Sequence, residues 1–127
     1  MEQQKQNKEF IIRYYNALSG VTKTRELLEQ YITDEELIGH GIFFDSVFPQ
    51  YEVFADEMIA EGNRVVVRAR FKGCHKGAFN GIPPTNRIAE QAFVICYYIE
   101  NRKIVHHWLM ADSMVLMEQL GVMGVPA

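Results

Sequence analysis

From Arg64 to His75 the chain keeps step with a two-residue period. Val65, Val67, Ala69, Phe71 and His75 fall on one side, and Val66, Arg68, Arg70, Lys72 and Cys74 on the other. Side chains of a strand alternate between its faces, so this pattern predicts an antiparallel strand with one face buried and one solvated. Gly62-Asn63 just before it suits a tight hairpin turn. The partner strand runs from Tyr51 through Val53, Phe54, Ala55, Met58 and Ile59, with an irregularity near Asp56. Two further strands are predicted at Arg87–Glu100 and Lys103–Ala111, turning at Asn101-Arg102.

A sheet with one apolar face must bury it against something, and the N-terminal part supplies helices. Phe10, Ile11, Tyr14, Tyr15 and Leu18 repeat at helical spacing and stop at Ser19-Gly20. Thr22 or Thr24 can cap a short second helix carrying Leu27, Leu28 and Tyr31. A third helix carries Leu37, Ile38, Ile42, Phe43 and Phe48 and ends before Pro49. Thr33 with Glu36 three residues later suits a capping box at its start. A last helix holds Met114, Val115, Met117 and Leu120 and stops at Gly121. Helices first and a meander of long strands after them indicate α+β architecture, in which helices pack against a curved sheet. With 127 residues, 48% of them hydrophobic, the chain is sized for a single domain spanning 1–127.

Several function classes are disfavoured. A net charge of −3 is unlike that of a nucleic-acid binder, and Arg68, Arg70 and Lys72 read as a solvated or interface face. No apolar run is long enough to span a membrane, so no membrane partner is expected. The start, MEQQKQNKEF, is polar and lacks an apolar signal core. Cys74 and Cys96 have neither metal-ligand spacing nor a disulfide framework and read as reduced thiols of a cytoplasmic protein. His106 and His107, as neighbours on a strand, point to opposite faces and make poor joint metal ligands; no metal site is expected.

What remains is a pocket with few titratable groups. Asp112 stands where the last strand meets the last helix. Strand parity gives it the same direction as Ile104, His106, Trp108 and Met110, unless a bulge intervenes. A lone carboxylate among apolar neighbours has its charged form disfavoured, which raises its pKa into a range useful for proton transfer. Asp112-Ser113 can equally cap the helix. His75 ends a strand just before the loop Gly77–Asn86, which Pro83 and Pro84 stiffen. It could donate to a ligand carbonyl or orient Asp112, or simply bond to backbone. Tyr14, Phe79 and Trp108 could line a pocket for a flat or polycyclic apolar molecule, or belong to the core. His40 on the third helix and His106 on the last strand complete the candidate ligand contacts.

The order of these pieces resembles the SnoaL-like polyketide cyclases of the nuclear-transport-factor-2-like superfamily. The residues that carry the resemblance are Phe48-Pro49, AEGNRVVVR at 60–68, GCHKGAFNGIPPT at 73–85, KIVHHW at 103–108, Asp112, and QLG at 119–121. It spans about Thr33 to Val122. Departures from the family pattern are Asn86 after Thr85, Asn101-Arg102-Lys103 at the hairpin, and His106 where a glutamate is common.

The resemblance implies a cone-shaped half-barrel, a sheet wrapped around the helices and enclosing a pocket, and small homo-oligomers, here a homodimer. It also implies that Asp112 serves as the acid-base residue of an intramolecular aldol closure on a carbonyl-rich substrate, without cofactor or metal. Isomerase or epoxide-hydrolase chemistry is a nearby variant. The rival expectation is a small-molecule-binding or accessory protein with no chemistry, in which Asp112 only caps the helix.

Overall fold

The computed structural model describes residues 2–121; Val122, the last residue of the resembling stretch, lies outside them. Three helices come first, α1 (Glu2–Leu18), α2 (Arg25–Glu29) and α3 (Glu35–Val47). The strands β1 (Glu52–Glu61), β2 (Arg64–Cys74), β3 (Ile88–Glu100) and β4 (Lys103–Ala111) follow, and α4 (Ser113–Leu120) closes the order. The strands form one antiparallel meander, β1-β2-β3-β4, curved but not closed into a barrel. No helix among the described residues is long and apolar enough to cross a membrane.

Both tight hairpins, β1-β2 and β3-β4, turn where positive φ is tolerated. Gly62 sits at φ 59°, and Asn101 and Arg102 at 52° and 61°. At Asn101-Arg102 the two consecutive left-handed residues give a turn whose twist matches that of the flanking strands. Arg102 is a side chain that resists this region, and the register on either side holds it there.

The concave face of the sheet is largely apolar, and its centre is fully covered. Val65, Val67 and Ala69 of β2 are each 0% exposed and pack with Ile95, Tyr97 and Ile99 of β3 against Phe10, Ile11, Tyr14, Tyr15 and Leu18 of α1. Complete burial of one such aliphatic side chain contributes about 1.5–3 kcal/mol. A second cluster, built on Val47, Phe48, Tyr51 and Phe71, is closed by Leu116 and Leu120 of α4. Gly77 lets the proline loop lie on the end of α3: Lys76 and Gly77 donate to the Val47 carbonyl, and a Cβ at Gly77 would fall 2.0 Å from the Ser46 carbonyl oxygen.

Two sequence expectations are corrected by local geometry. The third helix is capped by Asp34, whose side chain accepts from the Glu36 and Leu37 N–H groups, and not by Thr33. Thr33 is displaced from that role because its N–H, like that of Asp34, donates to the Ile104 carbonyl, tying the segment before α3 to the start of β4.

The second correction concerns β4. Ile104 pairs with Ile99, but His106 pairs with Tyr98, so Val105 is the extra residue of a bulge. A bulge exchanges the faces beyond it. His107, Leu109 and Ala111 therefore lie opposite Tyr97, Ile95 and Phe93 on the concave side, while His106, Trp108 and Met110 lie on the outer face. Trp108 and Met110 are 42% and 69% exposed there.

Candidate functional site

Between α1, α3 and the concave face lies a cavity of about 200 Å³. Its walls are Tyr14, Tyr15 and Leu18 of α1, His40, Gly41 and Phe44 of α3, and Gln91, Phe93, Ile95 and Tyr97 of β3. Leu109 and Ala111 of β4, Phe79 of the proline loop and Leu116 of α4 also line it. A dry cavity of roughly 150 Å³ accepts benzene, so this one has room for at least one ring of an aromatic ligand. Apolar walls with few polar groups are the usual make-up of a small-molecule site.

The local folding of each wall follows from its sequence. Tyr14 and Tyr15 sit on the apolar stripe of α1, and their rings meet edge to face at 5.7 Å. Tyr97 reaches them from β3 with centroids 5.8 Å from Tyr14 and 6.3 Å from Tyr15. The Tyr15 and Tyr97 hydroxyls are 2.9 Å apart and hydrogen-bonded. Burial raises both phenols, and those of Tyr14 and Tyr51, above their ordinary range, so all stay protonated at neutral pH. Phe79 is held over the cavity by a short turn in which Phe79 and Ile82 exchange backbone hydrogen bonds of 2.9 and 2.8 Å, made possible by Gly81 at φ 81°.

His40 stands at the rim, stacked on Phe44 with centroids 5.1 Å apart. Desolvation is the chief influence on its imidazole, and the nearby His107 adds to it. Together they lower its pKa against the pull of Glu36. More than a third of the residue is still open to solvent, which limits the effect without changing its direction. Its imidazole is therefore neutral over more of the physiological range than a free histidine.

Behind His40 is a pair that sequence reasoning missed. His107 Nδ1 lies 2.7 Å from Asp34 Oδ2, with both side chains nearly buried, and its Nε2 is 3.8 Å from Glu36. Desolvation, the largest single influence, pushes the Asp34 carboxyl up. Hydrogen bonds from His107, Leu37 and Glu36, and the charge of His107, outweigh it and hold the carboxyl below its usual range. No local sequence signal locates the pair, because it depends on the bulge at Val105, which brings His107 to the inner face.

The remaining sequence candidates fall elsewhere. Asp112 is the N-cap of α4: its carboxylate accepts from Met114 N at 3.0 Å and Val115 N at 3.4 Å, and the residue is exposed. Its backbone carbonyl accepts from Gln91 Nε2 at 2.6 Å, which uses one of the few polar groups on the cavity wall. Asp112 itself is not part of that wall, although Ala111 and Leu116 are.

His75 is 0% exposed and makes no bond to Asp112. Its Nδ1 lies 2.9 Å from Thr85 Oγ1 and 3.2 Å from Thr85 N, and its Nε2 is a buried atom without a partner, with the ring packed against Phe48. The expectation that it orients Asp112 or meets a ligand carbonyl from the cavity wall is thereby corrected. His106 packs on Tyr98 at 4.9 Å on the outer face, and Trp108 lies beside it in the same row; the bulge removes both from the pocket. Of the expected contacts, the structure brings Tyr14, His40 and Phe79 together around one cavity. Among the described residues no group of three or more His, Cys, Asp or Glu is arranged to hold a metal.

The family model described as SnoaL-like polyketide cyclase matches residues 43–120. No curated protein matches the sequence. Among solved structures, a candidate SnoaL-like polyketide cyclase from Jannaschia sp. CCS1 superposes with a TM-score of 0.78 at 21% identity, covering 98% of this chain and 95% of that one. IdmH from Streptomyces antibioticus, a candidate polyketide cyclase, gives 0.75 at 24% identity over 92% and 99% of the two chains. AclR from Streptomyces galilaeus, a candidate hydroxylase, gives 0.79 at 18% identity over 98% and 86%. The same fold thus carries neighbours described with different chemistries, and the choice of reaction rests on the site.

Proposed function

This chain belongs to the SnoaL-like polyketide cyclases, and from that premise we propose that it is a cyclase-like enzyme acting by proton transfer on an apolar, carbonyl-bearing small molecule. The observation that carries the reading is His40: among the described cavity-wall residues it is the one imidazole, and burial holds its pKa below that of an ordinary histidine. A neutral imidazole at the mouth of an apolar cavity is suited to remove a proton from a carbon flanked by carbonyls. The enolate then forms a carbon–carbon bond to a second carbonyl of the same molecule, and the proton returns to the new alkoxide. Atoms and charge balance within the substrate, so the reading calls on no cofactor. The two free cysteines support a reducing, cytoplasmic setting.

A second assignment keeps Asp112 as the acid-base residue, favoured by its place between the cavity-lining Ala111 and Leu116. It requires the carboxylate to exchange the Met114 and Val115 N–H groups for the substrate.

Deuterium exchange at the α-carbon of 2-tetralone, followed by NMR in heavy water, separates the assignments. With His40 as base, the native protein accelerates exchange over buffer, and His40→Gln lowers the rate by roughly 100-fold while Asp112→Asn does not. The reverse pattern transfers the role to Asp112. Binding of the ketone without acceleration replaces the enzyme by a non-catalytic binding protein.

A further inference from the structure

We propose that the paired hydroxyls of Tyr15 and Tyr97 form a docking point for one sp² oxygen of the ligand, a ketone, enolate or phenolic oxygen. The inference rests on the reading that the cavity receives a carbonyl-bearing molecule, and adds where its oxygen sits. Tyr15 lies on α1 and Tyr97 on β3, and the cavity is lined by both. Their oxygens are 2.9 Å apart, and the rings cross at 86°, each also edge-on to Tyr14. Packing on this scale holds both oxygens in place before a ligand arrives.

Proton counting then shows what the pair lacks. Each hydroxyl has one proton to donate. Their mutual bond uses one proton, so one O–H is always left over. Among the described residues neither hydroxyl has any other partner. A buried donor left unsatisfied costs about 1–3 kcal/mol, so the leftover proton calls for an acceptor from the cavity side. The amide Nε2 of Gln91, six residues before Tyr97 along the same strand, is given to the Asp112 carbonyl and does not compete for that acceptor. Burial keeps both phenols protonated, so the pair acts as donor throughout the neutral range. A hydroxyl that itself accepts a hydrogen bond donates more strongly, which favours an oxygen on which negative charge develops.

Acetophenone and α-methylstyrene test the idea, because they share one shape and differ in whether C=O or C=CH₂ points at the pair. Binding of each is followed by NMR titration of the native protein and of the Tyr15→Phe/Tyr97→Phe double variant. The expected result is a loss of about 3- to 10-fold in acetophenone affinity and an unchanged affinity for α-methylstyrene. Either single variant should lose less than the double, since the remaining hydroxyl is freed to donate directly.

Equal losses for both probes, or no loss for either, overturn the docking point and leave the pocket reading intact. Failure of the native protein to bind either probe overturns both. Should the double variant not fold, the infrared carbonyl stretch of acetophenone on the native protein decides. A stretch lowered from its value in hexane supports the bond, and an unshifted stretch refutes it.

Discussion

His107 Nδ1 and Asp34 Oδ2 lie 2.7 Å apart across the seam between β4 and α3, and through them the cap of a helix is joined to the strand facing it. Asp34 thus accepts from two backbone N–H groups and one imidazole at once. The pair stands behind His40, and His107 is one of the groups that lower the His40 pKa.

Stability at low pH should report this pair. A carboxyl whose pKa is lowered by folding contributes stability that is complete above its unfolded value, near 3.9, and is lost as pH falls through the folded value. Asp34 is such a group. Asp34→Asn retains a good helix cap but discards the carboxylate, and should cost about 1–3 kcal/mol at pH 7. Urea unfolding from pH 6 down to 2.5 should show the native protein converging on the variant below pH 4. Parallel curves would mean that the carboxylate contributes nothing to folding.

Lys23 should give a slope of the same sign, but at high pH. Its ammonium is buried, donating to the Val21 and Tyr51 carbonyls, with Asp45 at 4.0 Å and the Tyr51 ring beneath it. Desolvation lowers its pKa to about 8, opposed by Asp45. Between that value and the ordinary one the unfolded chain binds more protons than the folded one, so stability rises with pH. The difference in stability between native protein and Lys23→Met should therefore move in favour of the native protein from pH 7.5 to 10. A difference that stays constant over that range would show that Lys23 titrates normally.

Asp112 offers a stability test independent of any activity. Asp112→Ala removes the acceptor of two α4 N–H groups and should cost about 1 kcal/mol, whereas Asp112→Asn should cost little. The two variants, compared by thermal unfolding, must differ if capping is what the side chain does for the fold. Equal melting temperatures would show that the cap bonds contribute no net stability.

These residues also mark where the sequence was legible and where it was not. The period-two run Val65-Val67-Ala69-Phe71 and the stripe Phe10-Tyr14-Leu18 reveal strand and helix because period and burial are local properties. The turn at Asn101-Arg102 is local as well. The faces of β4 are not, since the bulge at Val105 is defined by how Tyr98 and Ile99 pair across the hairpin. Thr33 lost the cap to Asp34 through a contact with Ile104, distant in sequence. The hydroxyl pair joins residues 82 positions apart, and no local pattern announces it. His75 kept its predicted face, but only the packing of Phe48 and the Thr85 loop shows that it is sealed.

The outer face of the sheet leads to the last prediction, that the protein self-associates as a homodimer through it. Ile59, Trp108 and Met110 are 63%, 42% and 69% exposed on that face, around the more buried Val66 and Cys96. Arg68 and Arg70 on the same face are paired with Glu57, Asp56 and Glu90, so their charges are balanced and do not keep a second sheet away. Apolar side chains grouped in this way favour cover by a partner surface. Trp108 is the sole tryptophan, which makes its fluorescence a direct reporter. Emission should shift to longer wavelength on dilution from the micromolar to the nanomolar range, as the indole passes from an apolar interface into water. Trp108→Glu, which sets a charge at the centre of the row, should sediment as a monomer while keeping the native unfolding midpoint within a few degrees. A native protein that sediments at 14.7 kDa throughout, with emission independent of concentration, would leave the outer face solvent-exposed and the homodimer refuted.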